Sequence, residues 1–107
     1  MTGINNDLKT MILDYMQKGY LDNIIDMFKH DKSLYPIIID MIKDERIRVR
    51  IGAIALTEEL VKSPKEKEQF AEIIPSISAI LKNPNPNIRG DAAYLLEIIG
   101  VEPTIKD

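Results

Sequence analysis

The residues able to carry chemistry are few and poorly matched to one another. Asp22 and Asp26 sit four apart, as do Glu68 and Glu72, so each pair falls on one face of a helix and could hold a cation. No third ligand accompanies either pair, and such pairs are ordinarily solvated faces. His30 is the single histidine, which excludes any site built on two. Ser63, Ser76 and Ser78 have no histidine partner for a triad. The chain has no cysteine, so it holds no thiol nucleophile, disulfide framework or zinc ribbon. Asn83-Pro84 and Asn85-Pro86 are turn chemistry, not a phosphate loop. The expectation is a protein without catalytic residues, metal or cofactor.

The bulk properties agree. A length of 107 residues suits one domain, and 45% apolar residues is ordinary for a globular chain. The longest pure isoleucine run is Ile37-Ile38-Ile39, so no membrane span is expected. The first seven residues lack a basic start and an apolar core, which points to a cytoplasmic protein. Fourteen Lys+Arg stand against 17 Asp+Glu, a net charge of −3 that disfavours a nucleic-acid partner. Three of the four arginines nevertheless crowd into Arg46, Arg48 and Arg50.

The elements that must position any site are helical. Ile4, Leu8, Met11, Ile12, Tyr15 and Met16 form a stripe at i, i+4, i+7, i+8 spacing, ended by Gly19. Leu21, Ile24, Ile25 and Phe28 follow, then Leu34, Ile37, Ile38, Met41 and Ile42, with breaks near 31–33 and 44. Residues 46–62 are apolar on more than one face and so expect neighbours on several sides. Ser63-Pro64-Lys65-Glu66 predicts a capped start, with Glu66 reaching back to the cap amide. A fifth helix then carries Phe70 to Leu81, kinked at Pro75. Asn85 caps a sixth helix that Gly100 ends. About six helices in an all-α fold are predicted.

Shifted by 39 positions, the chain overlays on itself. Residues 36–61 match 75–100 at Pro36/Pro75, Ile38/Ile77, Lys43/Lys82, Arg50/Arg89, Ala53/Ala92, Leu56/Leu95 and Glu58/Glu97. A period near 40 with two helices per unit is the mark of an α-solenoid. The segment from Ile74-Pro75 through Asn83-Pro84-Asn85-Pro86 to Ile88-Arg89 and Ala92-Ala93 resembles a HEAT repeat. So does Tyr35-Pro36 through Asp44 to Arg48-Val49-Arg50 and Ala53.

The resemblance implies a short right-handed α-solenoid over the single domain 1–107. Its parts would be capping helices in 1–34, repeats over 35–63 and 64–102, and a tail at 103–107. It also implies that Arg50 and Arg89 are structural ladder arginines, bonding turn groups of their own or the preceding repeat, with Asp44 and Asn83 as acceptors.

In that family the second helix of each repeat lines the concave surface. Counting outward from the ladder arginines, that surface would carry Ile51, Ala55 and Glu59, then Gly90, Tyr94 and Ile98. The family is mostly polar there, whereas Ile51, Ala55, Tyr94 and Ile98 would form an apolar patch. Either the tail or the N-terminal helix covers it, or a protein, a peptide or a second copy does. The expected function is a scaffold or adaptor. A nucleic-acid binder using a basic edge of Lys43, Arg46 and Arg48 is the alternative.

Overall fold

The computed structural model describes residues 6–101. Among them there are seven α-helices and no strand: α1 (Asn6–Lys18), α2 (Leu21–His30), α3 (Ile37–Ile42), α4 (Ile47–Leu60), α5 (Pro64–Lys67), α6 (Ile74–Ala79) and α7 (Pro86–Ile99). Short 3₁₀ turns at Lys32–Leu34, Glu68–Glu72 and Ile80–Lys82 fill the gaps. The chain is all-helical, as its periodicity predicts.

The stops are chemical. Gly19 and Gly100 take φ of 89° and 100°, a region in which a side chain is strained, so the helix-ending turns fall there. The Asn85 carboxamide accepts from the amides of Asn87 and Ile88 and opens α7, with Pro86 in its first turn. Asp31 caps the turn that follows α2 by accepting from the Ser33 amide.

Two expectations need correction. The capping box at Ser63 does not form: Ser63 precedes α5 without a side-chain cap bond. Glu66 turns inward instead, where it is buried and accepts from the Tyr35 hydroxyl at 2.6 Å. Residues 64–82 also do not make one helix kinked at Pro75. They divide into α5, a 3₁₀ turn, α6 and another 3₁₀ turn, with the break at Ile73. The ring of Pro75 excludes the helical bond its amide would make, so α6 restarts with that proline in its first turn.

The core gathers around α4. This helix packs against α1, α2, α3 and α7, which explains why its sequence is apolar on several sides. Val49, Ala53, Leu56 and Leu60 are fully buried on it. Gly52 lets α1 come close: a Cβ there would meet the Met16 Cε at 3.1 Å. Beneath, an edge-to-face chain of Phe28, Tyr35 and Phe70 has ring centroids 5.4 and 5.1 Å apart. It ties α2 to the turn before α3 and to the 3₁₀ turn after α5.

The internal repeat has a structural counterpart. Helices α4 and α7 both have 14 residues and start at 47 and 86, which are 39 positions apart. They lie against each other. Pro36 immediately precedes α3 and Pro75 stands in the first turn of α6, the helices that lead into α4 and α7 respectively.

Candidate functional site

The two matched arginines make the same bonds. Arg50 donates through Nη1 to the carbonyl oxygens of Asp44 and Glu45 at 2.8 and 3.2 Å. Arg89 donates through Nη1 to those of Asn83 and Pro84, also at 2.8 and 3.2 Å. The acceptors are backbone carbonyls of the turn, not the side chains of Asp44 and Asn83. The Asn83 carboxamide accepts from the Asn85 amide instead, and the Asp44 carboxylate binds Arg46. These carbonyls precede a helix start and have no partner within it, so a guanidinium with several donors suits them.

The arginines differ in what else they reach. Arg50 is buried, and its Nε donates to the Asp91 carboxylate on α7 at 2.8 Å. This bond runs forward along the chain, toward the later helix pair, not to a preceding unit. Arg89 is exposed.

The expected basic edge is largely neutralised. Arg46 donates to the Asp44 carboxylate through Nε at 2.9 Å and Nη2 at 3.0 Å, and to Asp14 on α1 through Nη1 at 3.0 Å. The Asp44 carboxylate Oδ1 also accepts from the Arg46 backbone amide at 2.8 Å. These contacts raise the Arg46 pKa, chiefly through its hydrogen bonds to Asp44 and Asp14. The Arg46 hydrogen bond likewise holds the Asp44 carboxyl below its ordinary range. Only Lys43 and Arg48 of the three remain exposed cations without a carboxylate partner in the bonds described above.

The residues expected on the concave surface come together in part. Ile51 on α4 is 57% exposed and Tyr94 on α7 is 47% exposed. Ala55, Glu59 and Ile98 are partly exposed, and Gly90 is open to solvent. The Tyr94 hydroxyl points back toward α4 and approaches the Glu58 carboxylate at 3.5 Å. Glu59 pairs with Lys62 at 3.2 Å. Sequence reading missed Ile47, one turn before Ile51 and 59% exposed. Its spacing of four was the available signal. Helix α1 packs beside α4 at Gly52 and leaves Ile47 and Ile51 open; the tail at 103–107 lies outside the described residues.

Among the described residues no three His, Cys, Asp or Glu side chains gather as a metal site, and no helix is long and apolar enough to cross a membrane. His30, on an exposed helix end, donates through Nδ1 to the Asp26 carbonyl oxygen at 2.8 Å, and the same nitrogen lies 3.5 Å from the Asp26 carboxylate.

The fold defines an all-helical chain with an exposed apolar strip on two adjacent helices. In comparison with known proteins, no family model, curated protein or solved structure matches the chain.

Proposed function

We propose that this chain is a non-enzymatic interaction module. In this reading it is a short HEAT-like right-handed solenoid acting in the cytoplasm, with α4 and α7 as the inner helices of two repeats. Their shared exposed face receives a protein or peptide. The equal lengths of α4 and α7, their 39-residue spacing and the matching arginine-to-turn bonds support the repeat. The observation that carries the binding role is the exposure of Ile51 and Tyr94 on neighbouring helices. Large apolar side chains grouped on a surface ordinarily meet a partner.

Nucleic-acid binding through Lys43, Arg46 and Arg48 is the weaker reading, because two carboxylates already hold Arg46. A photo-crosslinking residue placed at Tyr94, and separately at Ala79 on α6, tests the preferred one in native extract. Specific adducts from position 94, lost when Ile51→Glu is added, support it. Equal labelling from both positions overturns it.

A further inference from the structure

A groove of about 400 Å³ runs between the end of α3 and α6 with the 3₁₀ turn that follows it. Its floor is aliphatic, made by buried Ile80, half-buried Ile39 and exposed Ala79. Lys43 and Lys82 flank it. They are a matched pair of the 39-residue overlay, so the repeat sets two ammonium groups along one groove. Both lysines are exposed, and neither ammonium has a hydrogen-bond or ion-pair partner among the described residues. The Ser76 hydroxyl, also in the lining, is likewise unpartnered there. Asn83 closes the groove and accepts from the Asn85 amide at 2.9 Å through its carboxamide oxygen, which leaves its NH₂ group to donate. No carboxylate among the described residues lines the groove. Asp40 on α3 pairs with Lys9 at 3.6 Å, and Asp44 pairs with Arg46 at 2.9 Å. Glu45 is exposed in the turn beyond and stands outside the lining. Arg89, bonded to the Asn83 carbonyl, adds positive charge at that end. The groove therefore presents donors and positive charge around an aliphatic floor, with no negative charge of its own.

We propose that this groove takes an acidic peptide segment of a partner protein. Two carboxylates of the segment pair with Lys43 and Lys82, and an aliphatic side chain between them covers Ile39, Ala79 and Ile80. The site lies on α3 and α6, apart from the α4–α7 face, and does not depend on that face binding anything. Charge complementarity selects an anionic ligand, and the floor selects among anions. A bare inorganic anion would leave the aliphatic floor in water. A small molecule would be poorly enclosed, since Ile80 alone of the lining is buried. A single-stranded nucleic acid stacks its bases on aromatic rings, which the lining lacks, and would meet a chain of net charge −3. An extended peptide advances about 3.3 Å per residue, so carboxylates two or three residues apart span about 7–10 Å, close to the roughly 8–10 Å between packed helices.

Amide NMR spectra of the full chain test this by titration with an acetylated peptide containing Glu-Leu-Gly-Glu. The same peptide with Gln for both Glu, inorganic phosphate and oligo-dT are the comparison probes. The glutamate peptide is expected to give saturable shifts at the amides of Ile39, Lys43, Ala79 and Ile80, and the glutamine peptide none. Lys43→Gln and Lys82→Gln, both at exposed positions, each weaken binding about three- to fivefold, and the double variant about tenfold or more. Circular dichroism confirms that the variants fold. Absence of saturable shifts in the groove, equal binding of the glutamine peptide, or affinity unchanged in the double variant overturns the proposal. Phosphate giving the same shifts at the same concentration, or oligo-dT binding the same amides more tightly than the peptide, overturns the peptide as occupant. In native extract, an adduct at position 79 that differs from the one at position 94 and vanishes in the double variant supports the groove. Loss of the position 94 adducts alone bears only on the α4–α7 face.

Discussion

Arg50 on α4 and Asp91 on α7 meet at 2.8 Å although 41 residues separate them in the chain. The arginine is buried and the carboxylate is about one-third exposed. One side chain thereby closes its own turn and clamps the following helix. Asp91 has no counterpart in the first copy, where Gly52 stands at the matching position and admits Met16. The same repeat position thus serves a salt bridge at one helix contact and a close approach at the other.

Removing that carboxylate leaves the Arg50 Nε buried without its acceptor. Asp91→Ala is expected to destabilise the fold by about 1–2 kcal/mol, and Asp91→Asn, which keeps an acceptor oxygen, by less. Arg50→Ala exceeds Arg89→Ala, since the Arg89 bonds are exposed to water. Urea midpoints of the four variants check the order; equal losses for Arg50→Ala and Arg89→Ala contradict it.

Tyr35 gives an alkaline signature. Burial raises its pKa strongly, with the hydrogen bond to Glu66 and the charge of Glu66 adding to the effect. The hydroxyl therefore stays protonated in the folded chain while an unfolded tyrosine ionises near 10. A raised pKa means stability that is complete below about 10 and falls as the pH climbs past it. Tyr35→Phe strands the buried Glu66 carboxylate and is expected to cost about 1–3 kcal/mol at pH 8. The deficit of the variant relative to the parent should narrow from pH 10 upward. Denaturation at pH 8, 10 and 11 measures it, and a constant gap counts against the buried pair.

Asp44 sets an acid limb. Its lowered pKa means that its contribution is present above the unfolded value near 3.9 and is lost as the pH falls below it. Asp44→Asn lacks this titration. The parent should melt higher than the variant at pH 6, and the two melting curves should converge toward pH 2. Parallel curves over that range would show that the Arg46 contact does not stabilise the turn.

Gly52, Gly90 and Gly100 separate by their surroundings and backbone conformation. A methyl at Gly90 meets nothing within 4 Å, so Gly90→Ala is expected to stabilise by about 0.5–1 kcal/mol through reduced unfolded-chain entropy. Gly52→Ala gains less, because its methyl presses on Met16. Gly100→Ala destabilises by roughly 1 kcal/mol, since its φ of 100° disfavours a side chain. Thermal melts rank the three variants.

Much of this molecule was legible in one dimension. The i, i+4 stripes predict helices because apolar side chains at that spacing share one face. Gly19, Asn85 and Gly100 mark their ends through backbone and capping chemistry local to a few residues. The apolar breadth of residues 46–62 foretells a helix with several neighbours, and the matched arginines at 50 and 89 each bond the turn before their own helix. Tertiary structure alone decided where long side chains spend their polar atoms. Glu66 had a local use in a capping box and took a distant one with Tyr35. Arg46 had the look of a free cation until folding brought Asp14 from α1 to it. Asp91 gave no sign of its bond to Arg50. Local geometry follows from neighbours in sequence, whereas a carboxylate or guanidinium goes to whichever partner the packed helices bring within about 3 Å, and that choice is made only when the core closes.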